Sequence, residues 1–279
     1  MGTDRLAQAV RHQLGIGRLL PLGGAADGAW LTERAARAAL RSVTTPAYAH
    51  AHTHTLSGVR IDALRISLAD PGDTAPPAVP APPSALPPGP LRVETECAVP
   101  VGEPLPVVTE RLRAALFAVA EGQLGLRLAA VDIRVTDLLD PWDGNARRTA
   151  DGNAGTGTGP ATDAEGETEA RTEAAPGGGT EGTVRAVADA VAAVPGVARL
   201  APVLGRPFPR SGDGSGDGPA HAVQITGREG RHVQVELAVA AGHRALDVAR
   251  AARAAVATVP EVTVAILVTA VDGFPEHED

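Results

Sequence analysis

The strongest constraint on the fold of this chain is that part of it occurs twice. Residues 93–102 (VETECAVPVG) align without gaps, at an offset of 140, with residues 233–242 (VQVELAVAAG). Farther along at that offset, Val108, Arg113, Ala114 and Ala115 match Val248, Arg253, Ala254 and Ala255, giving 9 identities over 23 positions. Alanine and valine matches are common in a chain this rich in both; the pairs Glu96/Glu236, Gly102/Gly242 and Arg113/Arg253 carry more weight. A duplicated stretch is expected to fold the same way in both places, so each copy tests the reading of the other.

The second copy is the clearer. Val233, Val235, Leu237 and Val239 alternate with Gln234, Glu236 and Ala238, as in a half-buried strand that Gly242 ends. Residues 243–259 read as a helix whose apolar face holds Leu246, Val248, Ala249, Ala252, Ala255, Val256 and Val259, with Asp247 and Arg250 outside. Pro260 stops it, and Val262, Val264, Ile266 and Val268 begin another strand. The first copy predicts the same order: strand 92–101, helix 104–121, and strand 128–137 with Val131, Ile133 and Val135 on one face. Upstream, residues 29–41 read as a helix with Thr32 available as a cap, followed by β-like runs 46–56 and 58–69. In the second copy a helix over 181–194, ending at Pro195-Gly196, precedes runs 197–204 and 220–228. The expected fold class is therefore α+β: two copies of an α-β-β-β-α-β module, helices packed on a mostly antiparallel sheet.

Two stretches read as unable to build a core. Residues 70–90 hold nine of the 24 prolines and are expected to be an extended, polyproline-like insertion in the first copy. Residues 140–182, rich in Gly, Thr, Glu and Ala, carry 9 acidic and 3 basic side chains and predict a disordered linker. The expected organisation is an N-terminal amphipathic segment 1–26, a first module 27–138, a linker 139–180, a second module 181–272 and an acidic tail 273–279. The net charge of −8 sits in the linker and the tail, which leaves the modules nearly neutral. That, with 2% aromatic residues, argues against nucleic acid as a partner. The start of the chain lacks the charge and apolar pattern of a signal peptide. The apolar run 262–271 is far shorter than the roughly 20 residues of a bilayer span, so the expectation is a cytoplasmic protein without direct transmembrane insertion.

Composition also limits the chemistry. All 25 basic residues are arginine, which excludes a P-loop lysine, a Schiff-base lysine and a lysine general base. A single cysteine, Cys97, excludes an intramolecular disulfide and Cys-rich metal sites; its place at the position of Leu237 suggests a small buried apolar side chain. Asp213–Gly218 imitates the opening of a calcium loop, but Gln224 stands where the twelfth-position Glu belongs. Gly155, Gly157 and Gly159 follow no strand and make no dinucleotide fingerprint. Glu96 and Glu236, on the polar side of their strands, read as surface or interface carboxylates. His50, His52 and His54, at i, i+2 and i+4, would project from one strand face and are the one candidate metal cluster. The ordinary reading of an exposed strand outweighs it, because no carboxylate or cysteine lies nearby. The expectation is thus no catalytic residue, no cofactor and no metal, with a metal-binding protein or metal-dependent enzyme using the three histidines as the alternative. At the N-terminus, Leu6, Val10 and Leu14 form one helical stripe with Arg11 to one side, and Arg18 follows in residues 15–22. The segment reads either as a docking element for a partner or as an extra helix and tail on its own module.

The valine-alternating strand closing on Gly, the amphipathic helix, the final V-x-V strand, and residues 182–197 with their Pro-Gly-Val turn resemble the alkaline shock protein family of bacterial envelope stress response proteins. The similarity covers about 180–272 in the second copy and, more weakly, 27–138 in the first. Related actinobacterial chains are sometimes labelled nucleopolyhedrovirus P-ten family proteins, but no sustained heptads support a fibrous protein here. The resemblance implies a non-enzymatic, envelope-stress-associated scaffold that acts through protein contacts. It implies a protein partner, one anchored in the membrane, that holds the chain at the inner face of the cell membrane. A homo-oligomer or an intrachain pseudo-dimer is also implied.

Overall fold

The computed structural model describes residues 17–46, 48, 56–140, 180–201, 222–226, 232–257 and 262–274. Along these residues the chain forms β1 (Leu19–Pro21), β2 (Ala29–Thr32), α1 (Glu33–Arg41), β3 (Arg60–Leu68) and β4 (Leu91–Pro100). Next come α2 (Leu105–Phe117), which continues into a π-helical turn at Ala118–Leu124, and β5 (Leu128–Leu139). The remainder is α3 (Thr180–Ala192), β6 (Val197–Leu200), β7 (Val223–Thr226), β8 (His232–Val239), α4 (Ala245–Val256) and β9 (Thr263–Val271). The fold is α+β. A three-stranded sheet has the order β3-β4-β5, and a six-stranded sheet has the order β1-β2-β9-β8, with β6 and β7 sharing the far edge of β8.

The sheets are mixed, not mostly antiparallel. The ladders β4–β5, β8–β9 and β2–β9 are parallel. The cause is the helix between each pair: α2 and α4 carry the chain back to the end where the previous strand began, so the next strand runs the same way. The two β-α-β units agree in detail. Cys97 pairs with Val135 and Ala98 with Asp137, which skips Thr136. Leu237 pairs with Val268 and Ala238 with Ala270, which skips Thr269. Cys97 and Leu237 are the same position of the sequence repeat. Each bulged threonine donates its hydroxyl back across the ladder, Thr136 Oγ1 to the Cys97 carbonyl at 3.3 Å and Thr269 Oγ1 to the Leu237 carbonyl at 3.2 Å.

Three expectations are corrected. Residues 29–32 are strand, and the helix begins only at Glu33. Thr32 is its cap, accepting from Ala35 N–H at 3.3 Å. Helical spacing in 29–32 is overridden because β9 offers a ladder: Ala29, Trp30 and Leu31 pair in parallel with Ile266, Leu267 and Val268. A strand over 46–56 is contradicted at its start, where Pro46 and Tyr48 are helical; residues 47 and 49–55 lie outside the described residues. The proline-rich stretch does build core. Val79 is buried with Leu19, Trp30, Ala265 and Leu267, and Ala85 packs against that cluster. The segment is a series of turns and extended pieces whose prolines leave few N–H groups to satisfy, so it can lie on a sheet and bond sparingly: Leu86 N–H reaches the Leu19 carbonyl at 2.8 Å, and Ala78 N–H the Ala25 carbonyl at 3.0 Å.

One apolar cluster runs through both β-α-β units and α1. Gly125, at φ +87, ends the π-turn in the left-handed region, and a Cβ there would overlap the Leu246 side chain of α4. Around this contact, Gly23 N–H donates to the Gly125 carbonyl and Arg244 Nε to the Glu121 carbonyl at 2.9 Å. Arg250 grips Asp27 with both arms, at 2.7 and 3.2 Å.

Candidate functional site

Most of the sequence-level candidates lie outside the described residues: Leu6, Val10, Leu14 and Arg11, the triplet His50, His52 and His54, the glycines 155, 157 and 159, and the loop 213–218. Arg18 is described, and its bonds are internal. Its Nε meets Glu33 Oε2 at 3.3 Å and its Nη2 donates to the Ile66 carbonyl at 2.5 Å, joining the N-terminal strand to α1 and β3. Leu19, Leu20 and Leu22 beyond it are buried. This end of the segment therefore packs on its own chain, on the six-stranded sheet.

Cys97 is buried, as expected, and burial together with the Asp62 charge raises its thiol pKa, which keeps it protonated and poorly nucleophilic. The repeated glutamates part company. Glu96 is about half exposed, with Arg134 at 3.8 Å. Glu236 is 0% exposed, and its Oε1 accepts from Gln224 Nε2 at 3.3 Å and Gln234 Nε2 at 3.2 Å. Its reading as a surface carboxylate is overturned, because a buried carboxylate is tolerated only with such donors. Among the described residues no group of three or more His, Cys, Asp or Glu side chains is placed to hold a metal ion.

The concave feature that sequence reasoning missed is a groove of about 650 Å³ over the three-stranded sheet. Asp62 to Arg65 of β3, Glu94 to Glu96 of β4 and Asp132 to Arg134 of β5 line it, and α1 adds Arg37 and Arg41. Strand alternation builds it. Leu64, Ile66, Val93, Cys97 and Val131 turn toward the core, so Arg65, Glu94, Glu96, Asp132 and Arg134 turn the other way. The register sets opposite charges side by side at Arg65–Glu94 across β3–β4 and at Glu96–Arg134 across β4–β5. Glu94 also stands opposite Asp132, a like-charge pair that Arg65 on one side and Arg92, 3.0 Å from Asp132, on the other help to neutralise. Arg37 Nη2 is held by Glu33 at 3.1 Å, while its Nε is buried without a hydrogen-bond partner among the described residues.

Four arginines and four carboxylates give this groove no net charge. Such exposed pairs contribute roughly 0–1 kcal/mol each to stability; at protein interfaces in general, patterned charges of this kind set orientation and specificity more than affinity. The groove holds no nucleophile poised beside a base: the Thr95 hydroxyl is committed to the Ala63 carbonyl at 3.1 Å. The signal was in the sequence, since charges recur at every second residue along β4 (Arg92, Glu94, Glu96) and β5 (Asp132, Arg134) and punctuate β3 at Arg60, Asp62 and Arg65. No protein-family model, curated protein or solved structure matches the chain.

Proposed function

We propose that the protein is a non-enzymatic scaffold built from two alkaline-shock-type modules, acting through protein contacts at the inner face of the cell membrane during envelope stress. The duplication is supported by the bulge and threonine bond that recur at one repeat position in both β-α-β units. The observation that carries the contact role is the asymmetry between the units: the outer face of β8 and β9 is sealed by the chain itself, while the charge-patterned outer face of β3, β4 and β5 is left open. The partner this face suits is a protein surface with charges of both signs, docked by register more than by net attraction.

Fractionation of native cells after alkaline challenge tests the reading. The wild-type protein should sediment with membranes and be released by high salt. Arg65→Glu with Glu94→Arg, which reverses one cross-strand pair while preserving its attraction, should leave folding intact and shift the protein several-fold toward the soluble fraction. A wild-type protein that never sediments with membranes, or a variant that sediments unchanged, counts against it.

A further inference from the structure

The edge of the three-stranded sheet carries an inference that does not depend on the scaffold reading. β5 is 12 residues long, the longest strand of those described, and β4 occupies one side of it. Its counterpart β9 has β8 on one side and β2 on the other. Among the described residues, the position that β2 fills beside β9 is empty beside β5. A long strand with a free edge is a template for pairing unless bulges, prolines or charges blunt it. The ladder shifts of β5 fall at Ala129 and Thr136, which leaves residues 130–135 (AVDIRV) as a regular, proline-free run.

The charges in this run do not blunt the edge toward a copy of itself; they select one register. Asp132 and Arg134 flank Ile133 and share the outer face, with side chains 55% and 79% exposed. Antiparallel pairing of two β5 strands about Ile133 places Asp132 opposite Arg134 of the second copy twice, once on each side of the two-fold axis. On the inner face it sets Val131 against Val135 and Ile133 against Ile133, extending the core side of both sheets. It also brings Leu138, 54% exposed, opposite Leu128. Centring on Asp132 or on Arg134 instead stacks like charges on the axis, and a one-residue slip turns core-facing side chains to the outer face. One side chain touches this backbone: Arg113 Nε donates to the Val131 carbonyl at 3.2 Å. A carbonyl has two lone pairs, so that bond does not close the edge.

We propose that β5 pairs with β5 of a second copy of this chain, antiparallel about Ile133, to make a continuous six-stranded sheet β3-β4-β5-β5-β4-β3. Cross-strand ion pairs and β-branched pairs of this kind stabilise antiparallel ladders. A single shared edge is a small interface, so the assembly is a concentration-dependent dimer that weakens with salt.

Sedimentation equilibrium of the full chain at low salt, over about 10–100 μM, a range suited to a small interface, tests this. The wild-type mass should rise from 28.2 kDa toward twice that value. Asp132→Arg and Arg134→Asp should each be monomeric, because like charges then face one another, with far-ultraviolet circular dichroism unchanged. Mixed in equal amounts, these two variants should dimerise with each other, since one supplies two arginines and the other two aspartates. The double swap carrying both changes in one chain should dimerise like the wild type. A wild type that stays monomeric, a single variant that still dimerises, or a mixture that remains monomeric overturns the proposal.

Discussion

The β4-α2-β5 and β8-α4-β9 units share a strand order, a bulge and a threonine bond, yet β8 and β9 are buried on both faces and β4 and β5 mainly on one. In the six-stranded sheet, Val79 and Ala85 of the proline-rich segment pack against Leu19, Trp30, Ala265 and Leu267, which line one face of neighbouring strands, and every residue of β8 from Val233 to Val239 is buried. In the three-stranded sheet the corresponding face carries Arg92, Glu94 and Glu96 toward solvent. The repeated glutamate shows the consequence most clearly. At 96 it is an exposed partner of an arginine; at 236 it is a buried acceptor for two amides. Burial at matching positions is thus decided by what the rest of the chain supplies: the β1–β2 hairpin extends the six-stranded sheet at the edge of β9, and the proline-rich segment packs on its face.

This contrast is sharpened by removing the cover. Trp30 is 1% exposed, and Trp30→Ala should cost about 3–5 kcal/mol, as truncation of a buried aromatic does. Arg65→Ala on the open face should change stability by about 0.5 kcal/mol or less. Urea midpoints of the two variants read the difference, and equal midpoints would show that the cover contributes nothing. Next in size are the two glutamates. Glu236→Ala strands the Gln224 and Gln234 amides that it accepts from and should cost about 2–3 kcal/mol, whereas Glu96→Ala should stay within about 0.5 kcal/mol. Similar losses for both would break the distinction between sealed and open faces.

The smallest effect is expected where the hairpin is tied to α4. Burial alone would raise the Asp27 carboxyl; the Arg250 side chain, the Gly24 N–H and the charges of Arg250 and Arg253 outweigh it and hold the pKa below its ordinary 3.8. Because the folded value lies below the unfolded one, this contribution is complete above the unfolded pKa and is lost as pH falls through the folded one. Asp27→Asn should therefore cost about 1 kcal/mol near neutral pH, discounted because Arg250 is half exposed. The gap between wild type and variant should begin to narrow below about pH 4 and close only as the pH falls through the lower folded value. A gap that persists in acid would place the loss in packing instead.

The two strand-helix-strand stretches were legible because both periodicities, of strand and of helix, are strong. Alternating valines mark β4, β5, β8 and β9, apolar spacing marks α2 and α4, and glycine or proline punctuates each end; the observed bounds differ from the expected ones by a few residues. What escaped the sequence reading is what depends on distant partners. Ala29–Thr32 has helical spacing, yet it becomes strand because an open edge of β9, more than 230 residues away, accepts it. Proline-rich residues resemble a solvated linker until a sheet face needs covering. The groove was missed because its charges come from three strands and one helix, which no local window brings together.

Local pattern by itself thus determined the two strand-helix-strand stretches, the α+β class and the inward-facing Cys97, since each depends on residues close in sequence and on which side chains avoid water. Only the tertiary structure decided which sheet would be sealed. Two strands of like pattern share one chain with a single hairpin and a single proline-rich segment, and both of these are placed against the six-stranded sheet.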